Sequence, residues 1–119
     1  MAGAGEYVIV WEFQVRQARN EEFVQKYGPE GAWARFFRGS AGYIRTELVR
    51  DVATDFRYLT LDYWLSHESF EDFRQRYQLE YEKFSRLIAS EGLVERETLL
   101  GSFYRGDSDF DEGIDLVPS

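Results

Sequence analysis

The chain has 119 residues, 44% hydrophobic and 18% aromatic, which is enough material for one domain with a packed core. It contains no cysteine, which excludes a disulfide framework and a thiolate metal site. The net charge is −8, but five of the 22 acidic residues follow Arg105, and the rest of the chain has 17 acidic and 14 basic residues. No basic patch interleaved with aromatics is present, so neither nucleic acid nor an anionic membrane is an expected partner.

The first predicted element is a strand from Tyr7 to Val15, where apolar side chains occupy every second position. Residues 1–6 before it are expected to be a flexible N-terminus, and they lack the basic segment of a signal peptide. Glu12 interrupts the apolar run, which argues against a membrane span. Together with the lack of cysteine, these features predict a cytoplasmic protein.

Two short helical pieces are predicted next. Asn20 is expected to cap a helix over residues 21–27, which the Gly28-Pro29 pair ends. A second piece begins near residue 30 and places Trp33 and Phe36 on one face. The break between them is expected either to open an entrance beside the first helix or only to let this face reach the core.

The second half of the chain predicts a hairpin, a long helix and a last strand. Strands over residues 43–52 and 56–64 are too close in sequence to be anything but antiparallel. Ser66 is expected to cap a helix that ends at Gly92 and carries an apolar stripe at helical spacing. Residues 94–105 form the last strand, so the domain spans 7–105, and 106–119 are expected to be an acidic flexible tail.

The element order is β-α-β-β-α-β, which predicts an α+β, ferredoxin-like fold with a four-stranded antiparallel sheet and both helices on one face. The other face is assigned Val8 and Val10 from the first strand, and Phe56, Tyr58, Thr60, Asp62 and Trp64 from the third. Because such a face is too apolar for water, a homodimer through the sheet is predicted. Charged side chains are expected to pair across or around that interface: Glu12, Arg45, Glu47, Asp62, Arg96 and Glu97.

The stretch from Tyr58 to Phe70, YLTLDYWLSHESF, resembles the third strand and helix start of antibiotic-biosynthesis-monooxygenase domains. In that family a tryptophan closes the strand, a serine caps the helix and an aromatic residue follows, here Trp64, Ser66 and Phe70. Gly42-Tyr43 and the first strand fit the same family. The resemblance covers roughly residues 7–104 and implies a dimeric α/β barrel with a pocket between sheet and helices.

The family includes cofactor-independent monooxygenases of aromatic polyketides, haem-degrading enzymes and quinol oxidases. Aligned from Trp64, Lys83 stands where the haem-degrading branch has its iron-binding histidine, Phe73 replaces its helix tryptophan and Trp11 its strand asparagine. Haem degradation is therefore not expected. No phosphate loop or dinucleotide fingerprint is present, so no cofactor is expected, and no ligand spacing suggests a metal.

Two residues are candidate proton acceptors. His67 is the only histidine and could take a phenolic proton, but an exposed position in the first turn of a helix is the favoured interpretation. Asp62 could have a raised pKa if desolvated, although a salt bridge to Arg45 or Arg96 in the dimer interface is favoured.

Six aromatic residues could line a cavity for a flat ligand: Trp64, Trp11, Tyr58, Phe36, Phe73 and Tyr77. Aromatic stripes of this kind more often form plain core, and that alternative stays open. The predicted function is a cofactor-independent, monooxygenase-like reaction on an aromatic or quinol-type small molecule. The alternative is a non-catalytic dimeric protein that binds a small molecule.

Overall fold

The computed structural model describes residues 6–105. The expected tail, residues 106–119, and all of the expected flexible N-terminus except Glu6 lie outside the described residues. The elements follow in chain order: β1 Tyr7–Val15, a 3₁₀ turn Gln17–Arg19, α1 Asn20–Tyr27, α2 Ala32–Phe37, β2 Tyr43–Arg50, β3 Arg57–Trp64, α3 His67–Arg76, α4 Gln78–Ser90 and β4 Val94–Tyr104.

The four strands form one antiparallel sheet in the order β2-β3-β1-β4. β1 lies in the centre because it pairs with both β3 and β4, although β3 and β4 are far from it in the chain. The helices cover one face of this sheet. The predicted α+β, ferredoxin-like fold is therefore confirmed.

The core lies between the sheet and the helices. Phe13 and Val15 of β1 pack with Phe23 and Tyr27 of α1, and the Phe13 and Tyr27 rings are 4.8 Å apart in an edge-on arrangement. Burying side chains of this size is worth about 1.5–3 kcal/mol each, so the alternation of β1 is directly coupled to the stability of the fold. The predicted strand is thus confirmed, with its odd-numbered residues facing the helices.

The assignment of the third strand to the second face was wrong. Directly opposite residues of an antiparallel pair point to the same side of the sheet, and Asp62 lies opposite Ile9, while Thr60 lies opposite Trp11. Tyr58, Thr60, Asp62 and Trp64 therefore face the helices. The second face instead carries Val8 and Val10 of β1 with a set from β3: Leu59, Leu61 and Tyr63.

The physical reason is that both faces of β3 are rich in apolar residues. Alternation shows which residues share a face, but not which face the helices cover. The register against β1 decides it. The same register places Glu97 opposite Phe13, on the helix face, so its expected place in the second-face interface was also wrong.

One predicted helix end is confirmed by the structure, and two predictions about helix ends were wrong. Ser66 caps α3, and its hydroxyl accepts a hydrogen bond from the Ser69 N–H at 3.0 Å, as predicted. Asn20 is already helical and is not a cap, because its side-chain oxygen accepts a hydrogen bond from the Tyr58 hydroxyl instead. The predicted long helix is divided into α3 and α4 at Tyr77, whose φ of −117° and ψ of 28° leave the helical region.

Candidate functional site

A cavity of about 420 Å³ lies between the helix face of the sheet and the helices. Its volume falls within the range of about 300–1,000 Å³ that is typical of small-molecule sites. Six aromatic side chains from β1, α1, α2 and α4 form part of its walls: Trp11, Phe13, Tyr27, Trp33, Phe37 and Tyr81. A flat aromatic molecule would contact ring faces and edges on several sides.

The sheet supplies two hydroxyl groups and the buried acid of the cavity. Thr46 of β2 lies opposite Asp62 of β3, and Thr60 of β3 lies opposite Trp11 of β1, so all three polar residues face the helices. Glu97 of the edge strand β4 also borders the cavity. The cavity therefore places acids and hydroxyls among aromatic walls.

Asp62 is the most buried acid of the cavity, with 9% of its surface exposed. Its Oδ1 accepts a 2.6 Å hydrogen bond from the Thr46 hydroxyl, which in turn lies 2.7 Å from the Tyr43 hydroxyl. Burial raises the pKa of Asp62 to about 6, and the hydrogen bond from Thr46 opposes that rise. Near neutral pH, Asp62 is an ionised carboxylate that can accept a proton.

The favoured salt bridge to Arg45 or Arg96 was wrong, because Asp62 points to the other side of the sheet. Arg45 instead contacts Glu47 at 3.2 Å and lies over the ring of Tyr63, both on the second face. Arg96 lies opposite Gln14, which also faces away from the helices. Within residues 6–105, no cation forms an ion pair with Asp62.

Two tyrosines of the cavity remain protonated. Burial raises the pKa of Tyr27 to about 12. Burial, followed by the charges of Asp62 and Glu97, raises the pKa of Tyr81 as well. Both hydroxyls are therefore neutral hydrogen-bond donors at physiological pH, and the buried indole N–H of Trp33 has no partner within the described residues.

Of the residues proposed from the sequence, Trp11 and Asp62 line this cavity. Trp64 is fully buried in the core between Phe37 and Phe73, whose ring centres lie 5.6 and 5.2 Å from it. Tyr58 and Phe73 are also buried core residues and are not part of the cavity wall.

The other three proposed residues lie elsewhere. Phe36 and Tyr77 border a separate, smaller cavity of about 240 Å³. His67 lies at the start of α3 with 43% of its side chain exposed, 4.9 Å from the Tyr7 ring and 3.3 Å from Glu71. The structure therefore does not bring His67 together with Asp62.

Several cavity residues were not identified from the sequence. Trp33 and Phe37 share the helical face that predicted a core contact, and Tyr81 belongs to the apolar stripe of the long helix. Their periodicity therefore predicted that they face the interior, but not that they line a cavity. Thr46 and Thr60 gave no signal, since threonine is ordinary in strands. Glu97 could be found only from the strand register.

Neither a metal centre nor a membrane span is evident in the part of the chain that the structure describes. No three His, Cys, Asp or Glu side chains of residues 6–105 are grouped as metal ligands. No helix within these residues is long and apolar enough to cross a membrane.

The fold and the cavity together define a small α+β domain with an aromatic site between sheet and helices. The family model of antibiotic biosynthesis monooxygenases matches residues 6–84. The chain belongs to this family, and the resemblance noted in the sequence is confirmed.

Solved structures of low sequence identity share the fold. SnoaB, a cofactor-independent oxygenase from Streptomyces nogalater, is 23% identical with a TM-score of 0.60, over 87% of this chain and 96% of its own. A Bordetella bronchiseptica protein described as a candidate antibiotic biosynthesis monooxygenase is 20% identical with a TM-score of 0.64, over 87% and 99%. PA3566 from Pseudomonas aeruginosa is 15% identical with a TM-score of 0.62, over 90% and 100%. No curated protein sequence matches the chain.

Proposed function

We propose that the protein is a cofactor-independent oxygenase that acts on a phenolic or quinol-type aromatic molecule bound in the 420 Å³ cavity. The observation that carries the proposal is Asp62, a buried carboxylate with a pKa of about 6 among aromatic walls. A general base works best when its pKa lies near the working pH. Family membership and the fold shared with SnoaB support the same class of reaction.

The proposed reaction begins when Asp62 takes the proton of the phenol. The resulting phenolate is electron-rich enough to give electrons to O₂, and a C–O bond forms at the ring carbon opposite the hydroxyl. The peroxide group takes up the proton held by Asp62 and becomes a hydroperoxide. The hydroperoxide then loses water, which is made of its terminal OH and the hydrogen of that ring carbon, to give a quinone. One phenol and one O₂ thus yield one quinone and one water, and the four electrons that reduce O₂ come from the substrate.

The chain's own residues would bind, orient and deprotonate the substrate. Trp11, Trp33 and Phe37 would hold the ring system, and the neutral hydroxyls of Tyr27 and Tyr81 would donate hydrogen bonds to oxygen atoms that gain negative charge. Holding the ring in one orientation lowers the barrier because the reacting atoms are already positioned. His67 has no role in this proposal because it lies outside the cavity.

The test is oxygen uptake with 1-naphthol, with 1,4-dihydroxynaphthalene as the quinol probe. Asp62→Asn should lower kcat/KM by about 10²-fold to 10⁴-fold, as expected for loss of a general base. Asp72→Asn is the matched control, because Asp72 is an exposed acid paired with Arg76 on α3. Recovery of half of the oxygen by catalase would indicate that the quinol is oxidised to quinone and hydrogen peroxide. Equal uptake by the Asp62→Asn protein and the parent would refute the proposal.

A second candidate function is a protein that binds a small aromatic molecule without reaction. The cavity itself favours it, since a space of about 420 Å³ that is lined by six aromatic side chains can hold a small molecule without any chemistry. Ligand-dependent thermal stabilisation by 1-naphthol, without oxygen uptake, would support this function over the first.

We also propose that two copies associate through the second face of the sheet. Val8, Val10 and Tyr63 form an apolar cluster there, next to partly buried Leu59 and Leu61. Two ion pairs, Arg57 with Glu12 and Arg45 with Glu47, border it. An apolar centre with a polar rim is typical of protein interfaces.

A further inference from the structure

The cavity proposed to bind the substrate carries an excess of negative charge. Asp62 is nine-tenths buried in it, and no described side chain hydrogen-bonds its Oδ2. Glu97 and Glu95 of β4 also border it, whereas Arg96 is the only basic residue among residues 6–105 that does so. The register places Arg96 opposite Gln14, so its side chain leaves toward the second face of the sheet.

Glu97 has no cation of the described chain to pair with. It lies on the helix face opposite Phe13, and burial raises the pKa of its carboxyl group. Its charge is close enough to raise the pKa of the Tyr27 and Tyr81 hydroxyls. Lys26 of α1 is paired with Glu91 at 2.7 Å, and no ion pair of residues 6–105 includes Glu97. Glu97 is an exposed residue at the edge of the cavity, and an unpaired carboxylate in this place can form a charge-assisted hydrogen bond with a cationic donor on a ligand.

Glu97 and Asp62 lie at different ends of the cavity. Their partners on β1, Phe13 and Ile9, are four residues apart, which is roughly 13 Å along a strand. β3 and β4 also lie on opposite sides of β1. A ligand that contacts both carboxylates must therefore be elongated, with one polar group at each end and rings between them.

We propose that the cavity selects aromatic phenols that carry a basic amine at the far end and rejects those that carry a carboxylate there. The phenol would lie at Asp62 and the ammonium group at Glu97, with the rings between Trp11, Trp33 and Phe37. The ammonium group would also gain from the neighbouring aromatic faces, which attract cations. A carboxylate in the same place would face Glu97 without any compensating cation. This inference rests on the proposed function only in placing the phenol at Asp62.

The test uses three 2-naphthols that differ only at position 6, which carries an aminomethyl, a hydroxymethyl or a carboxylate group. Binding is measured by calorimetry under argon, where oxidation cannot occur, at about pH 8, where the amine is charged and Asp62 lies above its pKa of about 6. The amine should bind about 10-fold more tightly than the alcohol, because hydrogen bonds to charged groups are the stronger ones. The carboxylate should bind about 10-fold more weakly than the alcohol, because it meets a like charge.

Glu97→Gln should bring the amine and the alcohol to similar affinities. Circular dichroism and thermal unfolding check that the variant is folded. Glu68→Gln removes an equal charge from the exposed first turn of α3, outside the cavity, and should keep the preference.

Carboxylate binding as tight as alcohol binding would overturn the inference, as would an amine preference that survives Glu97→Gln. In either case, oxygen uptake with 1-naphthol, whose ring carbon opposite the hydroxyl carries a hydrogen, would leave the proposed function standing. Binding of none of the three probes would overturn this inference, whereas the proposed function is decided separately by oxygen uptake with 1-naphthol.

Discussion

At the scale of single residues, the burial that makes Asp62 a base should also make it destabilising. Its pKa is about 6 in the fold against an ordinary value of 3.8, so the folded state holds the proton more tightly than the unfolded state between these two values. This stabilisation of the protonated form is lost as the pH rises through about 6. At neutral pH the buried charge is therefore unfavourable.

Asp62→Asn should raise the free energy of unfolding at neutral pH by up to about 3 kcal/mol, since one pKa unit is worth about 1.4 kcal/mol. Asparagine keeps an oxygen that accepts the Thr46 hydrogen bond and removes only the charge. Urea unfolding at several pH values measures the effect, which should shrink toward zero near pH 4 as the parent aspartate becomes protonated. Asp72→Asn should show no such pH dependence. A loss of stability that is the same at every pH would contradict this account.

Thr46 should control the pH at which the enzyme becomes active. Its hydroxyl donates to Asp62 and lowers the pKa of that carboxyl group, so Thr46→Val should raise the pKa further. The acidic limb of the pH profile of kcat/KM, expected near pH 6, should move to higher pH. Thr46→Ser keeps a hydroxyl and should restore the parent profile. A purely structural role for Thr46 would lower kcat/KM at all pH values without moving the limb.

The sequence drew attention to Asp62 because it is an acid inside an apolar strand. It did not show which way Asp62 points, because Leu59, Leu61 and Tyr63 made the opposite face equally suitable for burial. Glu97 was assigned to the dimer interface, and not to the cavity, for a related reason. Its strand is exposed over most of its length, so neither periodicity nor polarity marked it as a cavity residue.

At the scale of elements, the close packing of α3 on β2 depends on Gly42. A Cβ at this position would overlap the Cβ and Oγ of Ser69, and Leu65 donates its N–H to the Gly42 carbonyl at 2.8 Å. Gly42→Ala should therefore lower the free energy of unfolding by about 1–3 kcal/mol, the usual penalty of overpacking. Denaturant unfolding measures it.

Gly39 in the same connection is the matched control. Nothing lies within 4 Å of a Cβ there, and its φ is outside the left-handed region. Gly39→Ala should change stability by no more than about 0.5–1 kcal/mol, and a gain is expected from the stiffer unfolded chain. Equal effects of the two substitutions would contradict the proposed contact with Ser69.

The elements themselves were largely predictable, and their ends only in part. The cap at Ser66 is local chemistry, because a hydroxyl at this position reaches the Ser69 N–H whatever surrounds it. The predicted cap at Asn20 was wrong because the hydroxyl of Tyr58, 38 residues away in the chain, donates a hydrogen bond to the Asn20 side-chain oxygen. The break at Tyr77 could not be predicted from the sequence, since the apolar stripe continues through it from Phe73 to Tyr81.

At the scale of the molecule, the element order was enough to predict the sheet and its topology, because connections between strands leave few arrangements. The cavity was not predictable to the same degree. Most of the aromatic residues selected from the sequence fill the core, and the cavity lies where Trp11, Trp33 and Tyr81 leave space between sheet and α4. The volume of a cavity depends on the distance and angle at which the helices pack on the sheet. The spacing of apolar residues in one sequence does not specify these quantities.

The proposed association through the second face predicts a dimer in sedimentation velocity. Val10→Asp places a charge in the apolar cluster and should shift the protein toward monomer, because an unpaired charge in an interface costs several kcal/mol. Because Val10 is itself largely buried, Leu61→Asp, at a partly exposed site of the same face, tests the interface with less risk to the fold. Leu79→Asp is the control, since Leu79 is 70% exposed on α4 and should not affect assembly. A monomeric parent, or folded Val10→Asp and Leu61→Asp variants that remain dimeric, would refute the association.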